Sequence, residues 1–87
     1  MKDRFTEIRH AITQNDEHIV AAVNRRIELV TELWRLKDAL GYATVDPDRE
    51  RLLREHLANA NNGPLSAEGL DRFLTDLLDL TKRELGG

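Results

Sequence analysis

A run of nearly forty residues, from residue 2 to residue 40, contains neither proline nor glycine. Its apolar residues recur at alternating spacings of three and four, which indicates one helical stripe that packs against another helix. These residues are Phe5, Ile8, Ile12, Ile19, Ala22, Leu29, Leu33, Leu36 and Leu40. The sequence therefore predicts one long helix over residues 3–40, about 58 Å in length at 1.5 Å per residue.

Two polar residues, Asn15 and Arg26, interrupt this apolar stripe. A guanidinium group among leucines is costly unless an anionic group meets it. Arg26 therefore indicates either an anionic protein group or a bound anionic ligand. Lys37 and Arg9 are two further cations of the same helix for which an anionic partner must be identified.

The length of the chain does not suit a monomer that contains such a helix. A compact single domain of 87 residues has a radius of gyration of about 12 Å and a diameter near 30 Å. More than half of the long helix would then project with its apolar stripe bare. We expect residues 1–87 to form one domain of an intertwined homodimer, in which two long helices pair and the short helices pack across them.

Composition excludes several classes of protein. The net charge of −3, with both signs mixed and few aromatic residues, argues against a nucleic-acid partner. The absence of cysteine excludes disulfides and thiol chemistry, and His10, His18 and His56 lack a metal-ligand spacing. We therefore expect no metal site. No apolar run reaches a membrane span and no signal-peptide pattern opens the chain, so a cytoplasmic location without membrane contact is predicted.

The remaining residues predict two more helices and no strand. Gly41 ends the long helix, although Asn15 and Asp16 offer an alternative start for a separate helix. Asp46 and Pro47 begin a short second helix after a connection over residues 42–45. Its apolar face comprises Leu52, Leu53, Leu57 and Ala60.

A turn-rich break over residues 59–64 separates the second helix from the third. Ser66 caps this third helix, which ends at the terminal glycines Gly86 and Gly87. The residues expected to face inward are Leu70, Phe73, Leu74, Leu77, Leu78 and Leu85. The fold class is all-α, with one long, one short and one medium helix.

Helical geometry indicates which cations of the long helix share one face. Arg26 and Lys37 are eleven residues apart, so they lie within about 20° of one face and about 16 Å from each other. Arg9 precedes Arg26 by about 25 Å and is rotated by roughly 100°, so it cannot readily share a pocket with them in one chain. In an antiparallel dimer, Arg9 would serve the pocket of the partner subunit.

A second cluster of charges lies at residues 46–50. Asp46, Asp48 and Glu50 suit the positive end of a helix dipole, and a well-built helix start is the simple interpretation. Arg49 and Glu50, however, would lie on the first turn, close to Lys37. A pocket of several cations and one carboxylate suits a small dianion that also carries a hydrogen-bond donor.

The charged motifs match one family in register. They are Ile8-Arg9 with Asp16 following, Arg25-Arg26-x-Glu28-Leu29, Lys37 before Gly41, and Asp46-x-Asp48-Arg49-Glu50. Over essentially the whole chain this arrangement resembles the all-helical (type II, AroQ class) chorismate mutases. The resemblance implies an isomerase that converts chorismate to prephenate in phenylalanine and tyrosine biosynthesis. This Claisen rearrangement occurs within one molecule and implies no cofactor.

The resemblance also implies a role for each matching residue. Arg26 and Arg9 of the partner subunit would hold the two carboxylates of chorismate. Lys37 would donate a hydrogen bond to the ether oxygen as it gains negative charge. Glu50 would accept one from the ring hydroxyl, and Arg49 would support the carboxylate end. The backbone near Asp46 would assist Glu50.

The third helix departs from the family pattern. The family places a glutamine there as a second donor to the ether oxygen, with a serine one turn earlier. If Thr81 takes the serine position, Leu85 takes the glutamine position and a donor is missing. If Glu84 takes the glutamine position, it must be protonated to donate. In both registers we expect a weaker isolated enzyme. The ending also resembles short actinobacterial members, some of which are activated by DAHP synthase.

Three alternatives remain beside the mutase function. An isochorismate pyruvate-lyase or a mutase for the 4-amino analogue of chorismate would use the same cationic pocket, because Glu50 can accept from an amine as well as from a hydroxyl. A dimeric helical interaction module without an active site would explain Arg26 as a polar residue that sets helix register. It would not explain Lys37, Arg9 and Glu50 together.

Overall fold

The structure is a computed structural model that describes residues 3–86, and this range contains three α-helices and no strand. Helix α1 comprises Arg4–Leu40, α2 comprises Pro47–Ala60, and α3 comprises Ala67–Glu84. The predicted all-α class and the order of long, short and medium helices are confirmed. Gly87, which belonged to the predicted end of the third helix, lies outside the described residues. No helix in the described range could cross a membrane.

Helix α1 begins one residue after the predicted start and ends at the predicted residue, Leu40. The carboxylate of Asp3 accepts a 2.9 Å hydrogen bond from the amide of Thr6, and this contact lowers the pKa of Asp3 from its ordinary value. At the other end, Gly41 adopts a left-handed conformation with φ 76°, which a residue without Cβ adopts at little cost. The amide of Tyr42 then donates to the carbonyl oxygen of Lys37 at 2.8 Å.

The helix is continuous through Asn15 and Asp16, so the alternative of a separate helix that starts there is wrong. A cap at this pair would have to replace intrahelical hydrogen bonds that the backbone already makes. Neither proline nor glycine is present to remove an amide donor or to favour a break.

The starts of α2 and α3 are also confirmed. The carboxylate of Asp46 accepts hydrogen bonds of 3.1 and 3.3 Å from the amides of Asp48 and Arg49. The hydroxyl of Ser66 accepts a 3.0 Å hydrogen bond from the amide of Gly69. Each side chain satisfies amides that have no partner within the helix, and thereby sets where the helix begins.

Helix α3 provides the buried surface of the chain and packs against both α1 and α2. Its buried residues are Leu70, Leu74, Leu78 and Thr81. Phe73, which was predicted to face inward, is 48% exposed. Each four-residue step advances only about 40°, so the leucines form one stripe, while Phe73 lies about 60° to its side.

The predicted inward faces are otherwise only partly covered in one chain. Leu77 of α3 and Leu85, its C-terminal cap, are half-buried, as are Leu53 and Leu57 of α2. The other two residues of the predicted α2 face, Leu52 and Ala60, are exposed. Within the described residues, one protomer therefore offers too little surface to cover these faces.

The isolated chain is elongated and exposes most of its apolar stripe. Its extents are 61 × 24 × 17 Å and its radius of gyration is 16.7 Å, against about 12 Å for a compact chain of this length. The large apolar residues of the stripe on α1 are between 44% and 66% exposed. The accessible surface of 7243 Å² exceeds that of a compact protein of this mass by about 2,000 Å².

Candidate active site

An open cavity of about 170 Å³ lies where the second half of α1, the start of α2 and the end of α3 meet. Apolar side chains form part of its wall, and the charged groups that line it comprise four cations and two carboxylates. The cations are Arg26, Lys37, Arg49 and Lys82, and the carboxylates are Asp46 and Glu50. With all six groups ionised, the cavity carries two excess positive charges, which a dianionic ligand would balance.

Arg26 lines this cavity and is hydrogen-bonded to α3. Its Nη1 donates a 2.6 Å hydrogen bond to Oγ1 of Thr81, which is 3% exposed. The Thr81 hydroxyl in turn donates to the carbonyl oxygen of Leu77 at 2.8 Å. Burial lowers the pKa of Arg26 from its ordinary value, and the negative charge of Glu50 opposes that change. A guanidinium has five N–H donors, so Arg26 keeps donors for a ligand.

Lys37 connects the last turn of α1 to the loop that leads to α2. Its Nζ donates a 3.1 Å hydrogen bond to the carbonyl oxygen of Thr44. An ammonium group has three donors, so further hydrogen bonds remain for a ligand in the cavity. Arg26 and Lys37 both line the cavity, which is the shared face that their eleven-residue separation predicts.

Glu50 forms an ion pair that the sequence analysis missed. Lys82 Nζ lies 2.9 Å from Oε1 of Glu50, and both side chains are about one third exposed or less. Lys82 follows the buried Leu78 by four residues and therefore lies on the same face of α3. That spacing is the signal that could have identified it.

The structure brings together most of the residues that the sequence predicts for the site. Those that line the cavity are Arg26, Lys37, Asp46, Arg49, Glu50 and Thr81. Arg9 does not line it: this exposed side chain lies over the Phe5 ring, 5.4 Å from the ring centre. This agrees with the separation of about 25 Å between Arg9 and Arg26 along the helix.

The structure places Glu84 outside the cavity, so it does not support the register in which this carboxyl group donates to a ligand. Glu84 is exposed, whereas Thr81 lines the cavity. Glu84 follows Lys82, which lines the cavity, by two residues, and the rotation of about 200° between them directs Glu84 to nearly the opposite side of α3. Leu85 is the half-buried C-terminal cap of α3 and does not line the cavity either.

Fold and site together define a class of protein: a small all-helical chain with a cationic cavity suited to a dianion. The sequence profile of the type II chorismate mutases matches residues 8–84. The chain belongs to the type II chorismate mutase family, which confirms the resemblance of its motifs.

Solved structures agree with this assignment. Form I of the chorismate mutase from Thermus thermophilus has a TM-score of 0.87 and 25% identity, with coverage of 91% of this chain and 99% of that chain. Form II of the same enzyme has a TM-score of 0.86 and 25% identity, with coverage of 91% and 90%. No curated protein sequence matches the chain.

Proposed function

We propose that this chain is a chorismate mutase that converts chorismate to prephenate. The observation that carries the proposal is the cavity in which Arg26, Lys37, Arg49 and Glu50 meet. The rearrangement breaks one carbon–oxygen bond and forms one carbon–carbon bond within the same molecule, so its atoms and electrons balance without a co-reactant. The protein contributes by holding the reactive conformer and by stabilising the charge that develops on the ether oxygen.

Arginine is the side chain best suited to hold the two carboxylates of this substrate, since its fork of donors binds a carboxylate through two parallel hydrogen bonds. Arg26 is oriented by Thr81 and takes one carboxylate. Arg9 of the partner subunit takes the other. Arg49 lines the same cavity and adds positive charge at the carboxylate end.

Lys37 donates to the ether oxygen, where negative charge grows as the bond breaks. Its hydrogen bond to the carbonyl oxygen of Thr44 holds the ammonium group in place before the substrate arrives. A donor that is oriented in advance is worth about 3–4 kcal/mol in the transition state. Glu50 accepts a hydrogen bond from the ring hydroxyl, beside the backbone at Asp46.

The third helix supplies no second donor to the ether oxygen in this proposal. Thr81 takes the serine position of the family pattern, and Leu85, one turn later, takes the glutamine position. A leucine side chain has no hydrogen-bond donor. The enzyme therefore depends on Lys37 alone at the ether oxygen, and we expect it to turn over more slowly than a family member with glutamine there.

We predict that Thr81→Val lowers kcat/KM for chorismate by about tenfold, because Arg26 then loses the hydroxyl that orients it. Steady-state rates measure the effect. Thr75→Val is a matched control: its hydroxyl accepts from Arg54 at 3.0 Å and donates to the carbonyl oxygen of Asp71, away from the cavity. Equal losses in the two variants would contradict a role of Thr81 in the site.

The same proposal requires an intertwined homodimer. The accessible surface of one protomer exceeds that of a compact protein of its mass by about 2,000 Å². Burial of this area is sufficient for an obligate interface. The exposed stripe on α1 supplies apolar residues for it. Pairing of two α1 helices in opposite directions brings Arg9 of the partner subunit to the cavity that contains Arg26.

We predict that Ile19→Asp weakens the dimer at least a hundredfold, since two-fold symmetry places two carboxylates in one apolar interface. Ile19 belongs to the stripe and is 48% exposed in one chain. Val20→Asp is the control, because this neighbouring β-branched residue is 60% exposed but lies outside the stripe. Sedimentation equilibrium measures both. Similar dissociation of the two variants would contradict pairing along the stripe.

Two further parts of the sequence interpretation stay predictions. One is activation by DAHP synthase, which a rise in turnover on addition of that enzyme would test. The other is the cytoplasmic location, which cell fractionation would test. Neither is needed for the chemistry proposed for the cavity.

Calorimetric titration with a bicyclic dicarboxylate mimic of the transition state tests the proposed function. We expect one binding site per protomer, with loss of binding in Arg26→Ala. Absence of binding to the wild-type dimer would favour the interaction module that has no active site. Binding alone does not separate the mutase from the lyase, which requires identification of the product.

A further inference from the structure

The ion pair between Lys82 and Glu50 occupies the part of the cavity where the proposed mechanism places the ring hydroxyl. The 2.9 Å contact joins Lys82 Nζ to one carboxylate oxygen, Oε1. A carboxylate has two oxygens with about four acceptor positions. Glu50 can therefore keep its contact with Lys82 and still accept a hydrogen bond from a ligand.

The other carboxylate of the cavity has a different task. Oδ1 of Asp46 accepts from the first amides of α2, so this group is the cap of that helix. Glu50 is then the carboxylate that can receive a donor of the substrate ring. Because Lys82 is its closest ion-pair partner, any group that binds to Glu50 comes within a few ångströms of an ammonium.

We propose that Lys82 is a specificity-determining residue, which favours a neutral hydroxyl on the substrate ring and disfavours an ammonium at the same position. This inference rests on the proposed function, in which Glu50 contacts that ring substituent. It addresses the choice between chorismate and its 4-amino analogue, which the type of residue at position 50 leaves open.

Simple electrostatics supports this role. An ammonium that donates to Glu50 would lie about 5 Å from Lys82 Nζ, where two like charges repel appreciably at the effective dielectric constant of a partly exposed site. A hydroxyl carries no net charge and meets no such repulsion. Because water screens a side chain that is 33% exposed, we expect discrimination of about tenfold rather than the larger value for a buried pair.

Lys82→Met tests the inference, because methionine retains an unbranched apolar side chain without the charge. The measurement is the ratio of kcat/KM for chorismate to that for the 4-amino analogue. We expect the wild-type enzyme to favour chorismate, and Lys82→Met to shift the ratio about tenfold towards the amine. Lys82→Arg should keep the wild-type preference, since it restores the positive charge.

Arg83→Met is the matched control, because Arg83 is the adjacent cation of α3, is exposed and does not line the cavity. It should leave the ratio unchanged. Circular dichroism and sedimentation check folding, and Lys82→Gln replaces Lys82→Met if the latter does not fold. A purely structural role of Lys82 would lower both rates equally and leave the ratio constant, which would overturn the inference.

The two proposals fail in different ways. A wild-type dimer that converts neither substrate contradicts the proposed function. A mutase whose preference is the same in wild type and Lys82→Met contradicts only the role of Lys82. Dissociation constants of the two substrates, measured by calorimetry in the slow Lys37→Ala background, give a second measure of the preference, one for substrate binding alone. An unchanged ratio of these constants on adding Lys82→Met would also overturn the inference.

Discussion

Lys37→Ala should lower kcat/KM for chorismate by about a hundredfold to a thousandfold, which corresponds to the loss of one preorganised donor in the transition state. The physical reason is that the ether oxygen gains negative charge only as its bond breaks. The effect should therefore fall mainly on kcat rather than on KM. Steady-state kinetics on purified protein, over a range of chorismate concentrations, separates the two constants.

Arg35→Ala is the control for this prediction. It removes a cation two residues away on the same helix, but the side chain is exposed and does not line the cavity. Lys37 also donates to the carbonyl oxygen of Thr44, so thermal unfolding of both variants should be compared. A loss of less than about fivefold in a folded Lys37→Ala dimer would contradict the placement of Lys37 at the ether oxygen.

The second large effect is complementation between two inactive subunits. Arg9→Ala and Arg26→Ala homodimers should each have very low activity. In a heterodimer of the two, one site combines Arg26 from the first chain with Arg9 from the second, and both are intact. Random mixing makes half of the dimers heterodimers, each with one complete site, so activity should return to about a quarter of the wild-type value.

A second mixture controls for effects of subunit exchange. Arg26 and Lys37 line the cavity of the same chain, so heterodimers of Arg26→Ala and Lys37→Ala contain no complete site and should stay inactive. Native mass spectrometry establishes that heterodimers have formed. Confirmed heterodimers of Arg9→Ala and Arg26→Ala without recovered activity would contradict a site shared across the interface.

Local features allowed most of the fold to be predicted from the sequence. Gly41, Asp46 and Ser66 set helix ends through contacts within a few residues, and such contacts depend little on the rest of the chain. The shared face of Arg26 and Lys37 follows from the rotation per residue of a continuous helix. The assignment of Arg26, Lys37 and Glu50 to one cavity required only that α2 return towards the end of α1.

The residues of α3 that face the site could not be predicted, because they depend on how α3 packs against α1 and α2. The residue of α3 that contacts Arg26 depends on how the turn over residues 61–66 places α3 against α1. Sequence spacing alone did not decide whether Thr81, Glu84 or Leu85 faces the cavity. Thr81 lines the cavity, and the same rotation of α3 brings Lys82 to Glu50. Phe73 was expected to face inward, but its exposure depends on the elements that cover it.

The stripe on α1 contains residues of two kinds, which the burial of their side chains distinguishes. Its apolar residues are exposed in one chain, whereas Arg26, which occupies a position of the stripe, is half-buried against α3. The arginine that interrupts the apolar pattern is thus part of the cavity, and the leucines beside it remain for a partner. One helix thereby supplies both a site residue and a dimer surface.

The central claim is that this cavity converts chorismate to prephenate. Incubation of the wild-type dimer with chorismate, followed by proton NMR of the products, tests it most directly. We predict that prephenate accumulates as chorismate disappears, and that Lys37→Ala slows this conversion by about a hundredfold to a thousandfold. Release of pyruvate in place of prephenate, or a conversion no faster than in buffer alone, would contradict the claim.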